Sequence, residues 1–133
     1  MKKDIEFPVV EDIAVVVARE EDVQDAPWNV YLLNLKSKEV TGVLITSKGY
    51  GQHEGRNVKT STLRHFFEKI GSKSYVKVEH FPDHLFSISN EFWVSFYEDG
   101  LLHDKKYIFV TGSVSDENLI HIPLLNRKGV MIK

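Results

Sequence analysis

The segment 90–110 constrains the fold of this chain more than any other. Two runs rich in aromatic and β-branched residues flank the dipeptide Asp99-Gly100, which is the strongest short-range signal for a β-hairpin. Alternate residues of the first arm fall on opposite faces of a strand, and both faces are bulky: Phe92, Val94 and Phe96 on one, and Trp93, Ser95 and Tyr97 on the other. We therefore expect a central strand, covered at least partly on both sides, with the first three side chains in the middle of the core.

Length and composition indicate one domain over residues 1–133. The hydrophobic fraction of 42% and the charged fraction of 27% are typical of a globular chain that builds its own core. The chain has 0 cysteines, which excludes disulfides and thiolate metal sites. A net charge of −2 argues against a surface for duplex nucleic acid, so a nucleic-acid partner is not our expectation. Contact with single-stranded RNA through Tyr50, Lys59, Arg64 and Lys69 is a weaker alternative.

The sequence also bears on location. No run approaches the roughly 18 apolar residues that a membrane span needs. Residues 1–8 form a polar lead-in in which basic residues are not followed by an apolar stretch or a cleavage site. We expect a soluble cytoplasmic protein with no membrane partner.

Several short segments read as strands. A valine-rich run at 13–18 predicts a buried strand, and 28–36 and 40–47 predict a second hairpin joined at residues 37–39. Residues 75–81 alternate, with Tyr75, Lys77 and Glu79 predicted to face outward and Val76, Val78 and His80 inward, or the reverse at the ends of the segment. Residues 120–125 contain Pro123 and predict an edge strand, where proline is tolerated.

One segment predicts a helix. Over residues 61–70, apolar side chains recur at the spacing of a helical stripe, namely Leu63, Phe66, Phe67 and Ile70. Ser61 or Thr62 can cap its start and Gly71 can end it. The alternative is a strand with both faces occupied, because the flanking segments are all β-like.

These elements together predict a mainly β fold. Closely spaced strands with a single helix imply antiparallel pairing, because parallel strands need crossover helices. Our first expectation is a two-layer antiparallel β-sandwich, loosely immunoglobulin-like, with one short helix at about 61–70. The alternative is an α+β fold in which a curled antiparallel sheet packs on that helix.

The longest polar segment, 48–59, contains Gly49, Gly51 and Gly55. These glycines indicate positive φ angles or close approach of the backbone in a loop. Their spacing is one residue too long for a dinucleotide fingerprint, and no phosphate-loop motif follows. The ligand-binding candidates in and beside this loop are Tyr50, His53, Glu54 and Arg64.

No residues have the spacing of a catalytic or metal site. There is no nucleophile elbow and no cysteine nucleophile, so we assign no catalytic residue and lean against an enzyme. Pro82 prevents His80 and His84 from sharing a helix, and we expect the six histidines to be scattered rather than to bind zinc. No cofactor is expected.

Aromatic side chains of the central hairpin supply the candidate interface. If Trp93, Tyr97, Tyr107 and Phe109 share an uncovered face, they suit a protein partner or a second copy of the chain. If the predicted helix covers that face they are core, and we favour core with a partly exposed remainder. The leading hypothesis is a non-catalytic binding or assembly module that forms a homodimer through this face or an edge strand. The alternative is a small enzyme or ligand-binding protein that uses the loop 48–59.

Two stretches carry a resemblance to a known family. The run 28–51 followed by residues 59–65, and the ending 129–133, resemble a family of small uncharacterised bacterial proteins rich in β structure. The resemblance spans nearly the whole chain. Some such proteins are labelled as a phenylalanyl-tRNA synthetase subunit, but the arginine motif that binds ATP in class II synthetases is missing here. The resemblance therefore implies no aminoacylation and no site residues.

Overall fold

The computed structural model of the protein describes residues 8–133, so the predicted lead-in at 1–8 lies outside this range except for Pro8. Residues 8–133 form ten β-strands and two 3-10 turns, at Asp83–Leu85 and Asp116–Asn118. The strands are β1 (Ile13–Arg19), β2 (Trp28–Asn34), β3 (Val40–His53), β4 (Arg56–Lys59), β5 (Leu63–Ile70), β6 (Ser74–His80), β7 (Ser89–Glu98), β8 (Leu101–Phe109), β9 (Ile120–Ile122) and β10 (Arg127–Ile132). Within this range no helix has the length and apolar character needed to cross a membrane.

Sheet A has the strand order β6-β2-β1-β10-β9, and its pairs are antiparallel. Strand β9 lies at one edge, as Pro123 predicts, and β10 pairs with β1 near the centre. An immunoglobulin constant domain places its first and last strands in different sheets. The immunoglobulin-like topology is therefore not confirmed.

Sheet B is built around the long strand β3. One edge of β3 pairs with β7, and the other pairs first with β5 and then with β4. Strand β8 completes the sheet through the predicted hairpin, in which Asp99 has φ 53° and Gly100 has φ 76°. Two positive φ angles are what a two-residue type I′ turn requires, so the hairpin prediction is confirmed.

The inner faces of the two sheets share one hydrophobic core. Sheet A contributes Ile13, Val15, Val17, Val30 and Leu32, and sheet B contributes Val43, Ile45, Phe92, Val94 and Phe96 among others. Phe92, Val94 and Phe96 are 2%, 0% and 1% exposed, which confirms their predicted place in the interior. A second cluster, on the other face of sheet A, includes Val16, Tyr31 and Leu33 and is completed by Ile122 and Leu125.

The helix predicted for residues 61–70 is wrong, because this segment is the strand β5. Phe66 and Phe67 both fall on the expected helical stripe, yet they lie on opposite faces of the strand: Phe66 is 65% exposed and Phe67 packs on the core. Residues of β5 pair with Val40–Ser47 of β3. A long unpaired edge of β3 supplies backbone partners that outweigh a short helical pattern. The α+β alternative fails with the helix.

The hairpin predicted between 28–36 and 40–47 is also wrong, because β2 belongs to sheet A and β3 to sheet B. The buried side chain of Asn34 holds the connection in place. Its Nδ2 donates to the carbonyl oxygens of Lys38 and Gly71 at 2.9 Å each, and its Oδ1 accepts from the Lys36 amide at 3.0 Å. These bonds stabilise a crossing between the sheets rather than a turn within one.

The predicted loop at 48–59 is mostly strand. Strand β3 continues to His53, and Glu54 and Gly55, with φ 52° and 75°, form a tight turn into β4. Gly49 shows the close approach expected of its glycine, since an added Cβ would lie 2.8 Å from Cδ1 of Ile88. The polar composition of the segment reflects an exposed hairpin.

Candidate functional site

A cleft of about 270 Å³ opens between the two sheets, where β6 and the first 3-10 turn face β3, β5 and β7. Its walls combine polar and apolar side chains: Ser47, Lys48, Gly49, Thr60, Ser61, Leu63, Glu79, His80, Pro82, His84, Leu85, Asn90 and Phe92. Small-molecule sites typically have this mixture of apolar walls and a few polar groups, although most are somewhat larger.

Glu79 is the central polar group of the cleft. Its side chain is only 10% exposed, and its Oε1 accepts hydrogen bonds at 2.8 Å from Ser47 Oγ and from His65 Nε2. Ser47 is itself 4% exposed. A carboxylate this deeply buried must keep hydrogen-bond partners, because removing it from water is costly.

A β-bulge places Glu79 in the cleft. The pairing of β2 with β6 shifts register between Val30 and Tyr31, so that Val30 lies opposite Glu79 while Tyr31 lies opposite Lys77. The skipped residue, Val78, packs in the core at 7% exposure, and the next side chain reaches Ser47. A bulge allows two consecutive side chains to turn toward the same layer. The inward position of Glu79 is therefore the reversal that the alternation left open at the end of the segment.

Three of the six histidines lie in or beside the cleft. His80 and His84 border the cleft, and His65 bonds to Glu79. His80 also bonds through Nδ1 to the buried Asn29 Oδ1 at 2.9 Å. His65 and His80 thus bond to different partners, and the three side chains do not form one cluster. In residues 8–133 no group of three or more His, Asp or Glu side chains has an arrangement that could hold a metal ion.

The four residues predicted to bind a ligand do not come together. His53 and Glu54 lie at the exposed tip of the β3–β4 hairpin, where their side chains are 61% and 85% exposed and 3.8 Å apart. Arg64 pairs with Thr46, seven residues before His53 on β3, which corresponds to about 23 Å along the strand. Tyr50 approaches Glu91, with its hydroxyl 3.4 Å from Oε1. Desolvation, and then the Glu91 charge, raise the pKa of Tyr50.

The predicted interface residues divide between the two faces of sheet B. Trp93 and Tyr97 are 46% and 45% exposed on the outer face, whereas Tyr107 and Phe109 are each 1% exposed in the core. The four residues do not share one face, because the two pairs have opposite parity in the β7–β8 register. The outer face also carries exposed apolar residues that were not predicted from the sequence to form an interface. Among them are Leu44, Phe66, Leu102 and Ile108.

Little in the sequence indicated the position of the cleft. Ser47, His65 and Glu79 are separated by many residues and match no motif, so only the strand pairing brings them together. Lys48 and Gly49 belong to the glycine-containing segment and border the cleft. The segment 48–59 was therefore the one part of the sequence that indicated the position of the cleft.

The fold and the cleft define a two-sheet antiparallel β protein with a pocket between its sheets. The chain belongs to the family described as "Domain of unknown function (DUF4909)", whose model matches residues 32–131. This agrees with the resemblance to an uncharacterised family. Comparisons with curated proteins and with solved structures found no match.

Proposed function

We propose that the protein is a β-sandwich that acts as a non-catalytic assembly module and pairs with a second copy of itself through the outer face of sheet B. The observation that carries this proposal is the order of side chains across that face. Exposed apolar residues alternate there with charges of both signs. Large exposed patches of this kind are typical of association surfaces.

Two neighbouring rows of residues cross the outer face at right angles to the strands. The strand registers define one row as Arg64, Thr46, Trp93 and Lys106, and the next row as Phe66, Leu44, Ser95 and Asp104. Each row therefore begins on β5 and ends on β8. Lys106 Nζ lies 4.8 Å from the centre of the Trp93 ring and 3.9 Å from Glu91 Oε1 of the same subunit, and these two contacts hold the charge over the face.

Consider a two-fold axis in the plane of contact that runs between the two rows and parallel to them. It would place each residue of one subunit opposite the residue at the same position in the other row of the partner subunit. Lys106 would meet Asp104 of the partner subunit, and bulky Trp93 would meet the small Ser95 of the partner subunit. Arg64 would stack on Phe66 of the partner subunit. An isologous interface requires this kind of self-complementary surface, with opposite charges paired and a large side chain against a small one.

Charge reversal tests the pairing. Sedimentation velocity over a range of concentrations is expected to show a dimer for the wild type. Asp104→Lys would create two like-charge contacts in the symmetric interface and is expected to raise the dimer Kd about tenfold or more. The double variant Asp104→Lys, Lys106→Asp is expected to recover most of the affinity, because it exchanges the two charges.

Asp116→Lys is the matched control, since it makes the same charge change at an exposed residue of the second 3-10 turn. It should leave the dimer Kd within about twofold. A wild type that stays monomeric at about 1 mM, or a double variant as weak as the single one, would contradict the proposed axis.

The alternative function at the 48–59 segment is not proposed, because Tyr50, His53, Glu54 and Arg64 do not form one site. Lys48 and Gly49 of this segment border the cleft between the sheets, and the cleft is the better candidate for ligand binding.

A further inference from the structure

The Glu79 carboxylate uses only one of its two oxygens within the protein. Oε1 receives both hydrogen bonds, from Ser47 and from His65. Oε2 has no hydrogen-bond partner among residues 8–133. It is not one of the fully buried polar atoms that lack a partner, so it is accessible to solvent, and Glu79 lines the cleft. A carboxylate held by one oxygen, with its other oxygen open to a pocket, is an oriented acceptor.

No lysine pairs with Glu79 in the described part of the chain, and its contact with His65 is made through Oε1 alone. Glu79 is the one carboxylate among the residues that line the cleft in the described part of the chain. Lys48 also lines the cleft, but its Nζ lies 3.8 Å from Glu91 Oε2 and is partnered there. His80 is held by Asn29 through its Nδ1. The acceptor at Oε2 is therefore not neutralised by a neighbouring lysine.

The remaining walls set the size and character of the ligand. Leu63, Leu85 and Phe92 supply apolar surface, and a volume of about 270 Å³ leaves room for one ring and a small polar head. Phe92 is 2% exposed and fixed in the core, so this wall does not depend on a mobile loop.

We propose that the cleft binds a small organic cation in which an amidinium, guanidinium or primary ammonium group is attached to an apolar body. The cationic head donates an N–H hydrogen bond to Glu79 Oε2, and the apolar body lies against Leu63, Leu85 and Phe92. Charge-assisted hydrogen bonds are roughly twice as strong as neutral ones, and this difference provides the selectivity.

The site is independent of the proposed dimer. The cleft lies between the sheets, whereas Trp93, Asp104 and Lys106 lie on the outer face of sheet B. Failure of one proposal therefore leaves the other standing.

Three probes of nearly equal shape test the chemistry: benzamidine, which is cationic, benzamide, which is neutral, and benzoate, which is anionic. Amide NMR titrations of the full chain are expected to show benzamidine shifting residues of the cleft. Benzamide should bind at least tenfold more weakly, and benzoate should show no saturable shift. Equal binding of benzamidine and benzamide would overturn the proposal. So would the absence of benzamidine shifts at about 10 mM, where a site with a Kd of 1 mM would be about 90% filled.

Substitutions locate the interaction. Glu79→Gln keeps an acceptor oxygen but removes the charge, and it should weaken benzamidine at least tenfold. Asp83→Asn is the matched control, since it removes a carboxylate nearby in the chain that does not line the cleft, and it should change the affinity less than twofold. Equal weakening by both variants would indicate general electrostatics and would overturn the site.

A second variant keeps the test decisive if Glu79→Gln does not fold. Leu63 is 46% exposed and borders the cleft, so Leu63→Arg places a guanidinium within the pocket with little cost to the core. This variant should abolish benzamidine binding while retaining the wild-type unfolding temperature. Unchanged binding by a folded Leu63→Arg protein would place the ligand elsewhere.

Discussion

Tyr107 carries a hydroxyl group into the core that the two sheets share. The residue is 1% exposed, and its hydroxyl donates a 2.6 Å hydrogen bond to the carbonyl oxygen of Ile13. This bond joins β8 of sheet B to β1 of sheet A. Burial raises the pKa of Tyr107 well above its ordinary value of 10.0, because a phenolate would lose its solvation there.

Tyr107→Phe is expected to lower the free energy of unfolding by about 1 kcal/mol at pH 7, because the hydrogen bond to Ile13 is lost. Above pH 10 the unfolded wild type loses the phenol proton while the folded protein keeps it. The wild type therefore loses stability through this group as the pH rises toward the folded pKa, and the phenylalanine variant does not. Urea unfolding at pH 7 and pH 11 measures the gap between the two proteins. The gap should shrink or reverse at pH 11, and a constant gap would contradict the raised pKa.

Glu79 illustrates which part of a site escapes sequence reasoning. Simple alternation along 75–81 predicts the faces correctly only while the register is unbroken. The bulge opposite Val30 and Tyr31 turns Glu79 inward, and nothing local to the segment signals that insertion. The contacts with Ser47 and His65 then depend on two other strands, so the site could not be assembled from spacing alone.

At the scale of elements, local signals predicted strands well and their partners less well. The β7–β8 hairpin could be predicted because its turn residues and both arms are adjacent in sequence. The helical stripe at 61–70 failed because the same apolar residues also suit a strand once the edge of β3 is available. The connection at 37–39 is short enough for a hairpin, and only Asn34, with its bonds to Lys38 and Gly71, marks it as a crossing.

Strand β10 fits between two neighbours only because it contains Gly129. A Cβ at this position would lie 2.9 Å from the carbonyl oxygen of Val17 on β1 and 3.1 Å from Cγ1 of Ile122 on β9. Gly71 differs, since its nearest neighbour would be Ser74 Oγ at 3.4 Å. Gly71 is therefore a suitable control for substitution of Gly129.

Gly129→Ala is expected to lower the free energy of unfolding by about 2–3 kcal/mol, because a backbone oxygen cannot move aside as a flexible side chain can. Gly71→Ala should change it by less than about 0.5 kcal/mol. Chemical denaturation of both variants measures the difference. Equal effects would show that β10 tolerates a methyl group, contrary to this packing.

For the whole molecule, the shared core implies that the two sheets unfold together. Asn34 stands where the chain passes between them, at 0% exposure, and it bonds to the backbone of both connecting segments. Its loss would leave the buried Ile70 carbonyl oxygen and the partly buried groups of Lys36 and Gly71 without this partner, which costs free energy at both crossings.

Asn34→Ala is expected to lower the free energy of unfolding by about 2–4 kcal/mol. Trp28 on sheet A and Trp93 on sheet B provide separate fluorescence reporters through the variants Trp93→Phe and Trp28→Phe. Both reporters should give the same denaturation midpoint, with and without Asn34. The control Asn118→Ala removes an exposed amide bonded to the Ser113 carbonyl oxygen and should cost less than about 1 kcal/mol. Two separate midpoints would show that the sheets unfold independently.

The pairing of β1 with β10 has a consequence for synthesis of the chain. Residues 13–19 are synthesised more than 100 residues before their neighbour at 127–132. At translation rates of about 5–20 residues per second, this valine-rich strand waits on the order of ten seconds for that partner. Until then one of its edges is open to pairing with other chains, so this long separation in sequence makes the edge of β1 an aggregation hazard during synthesis.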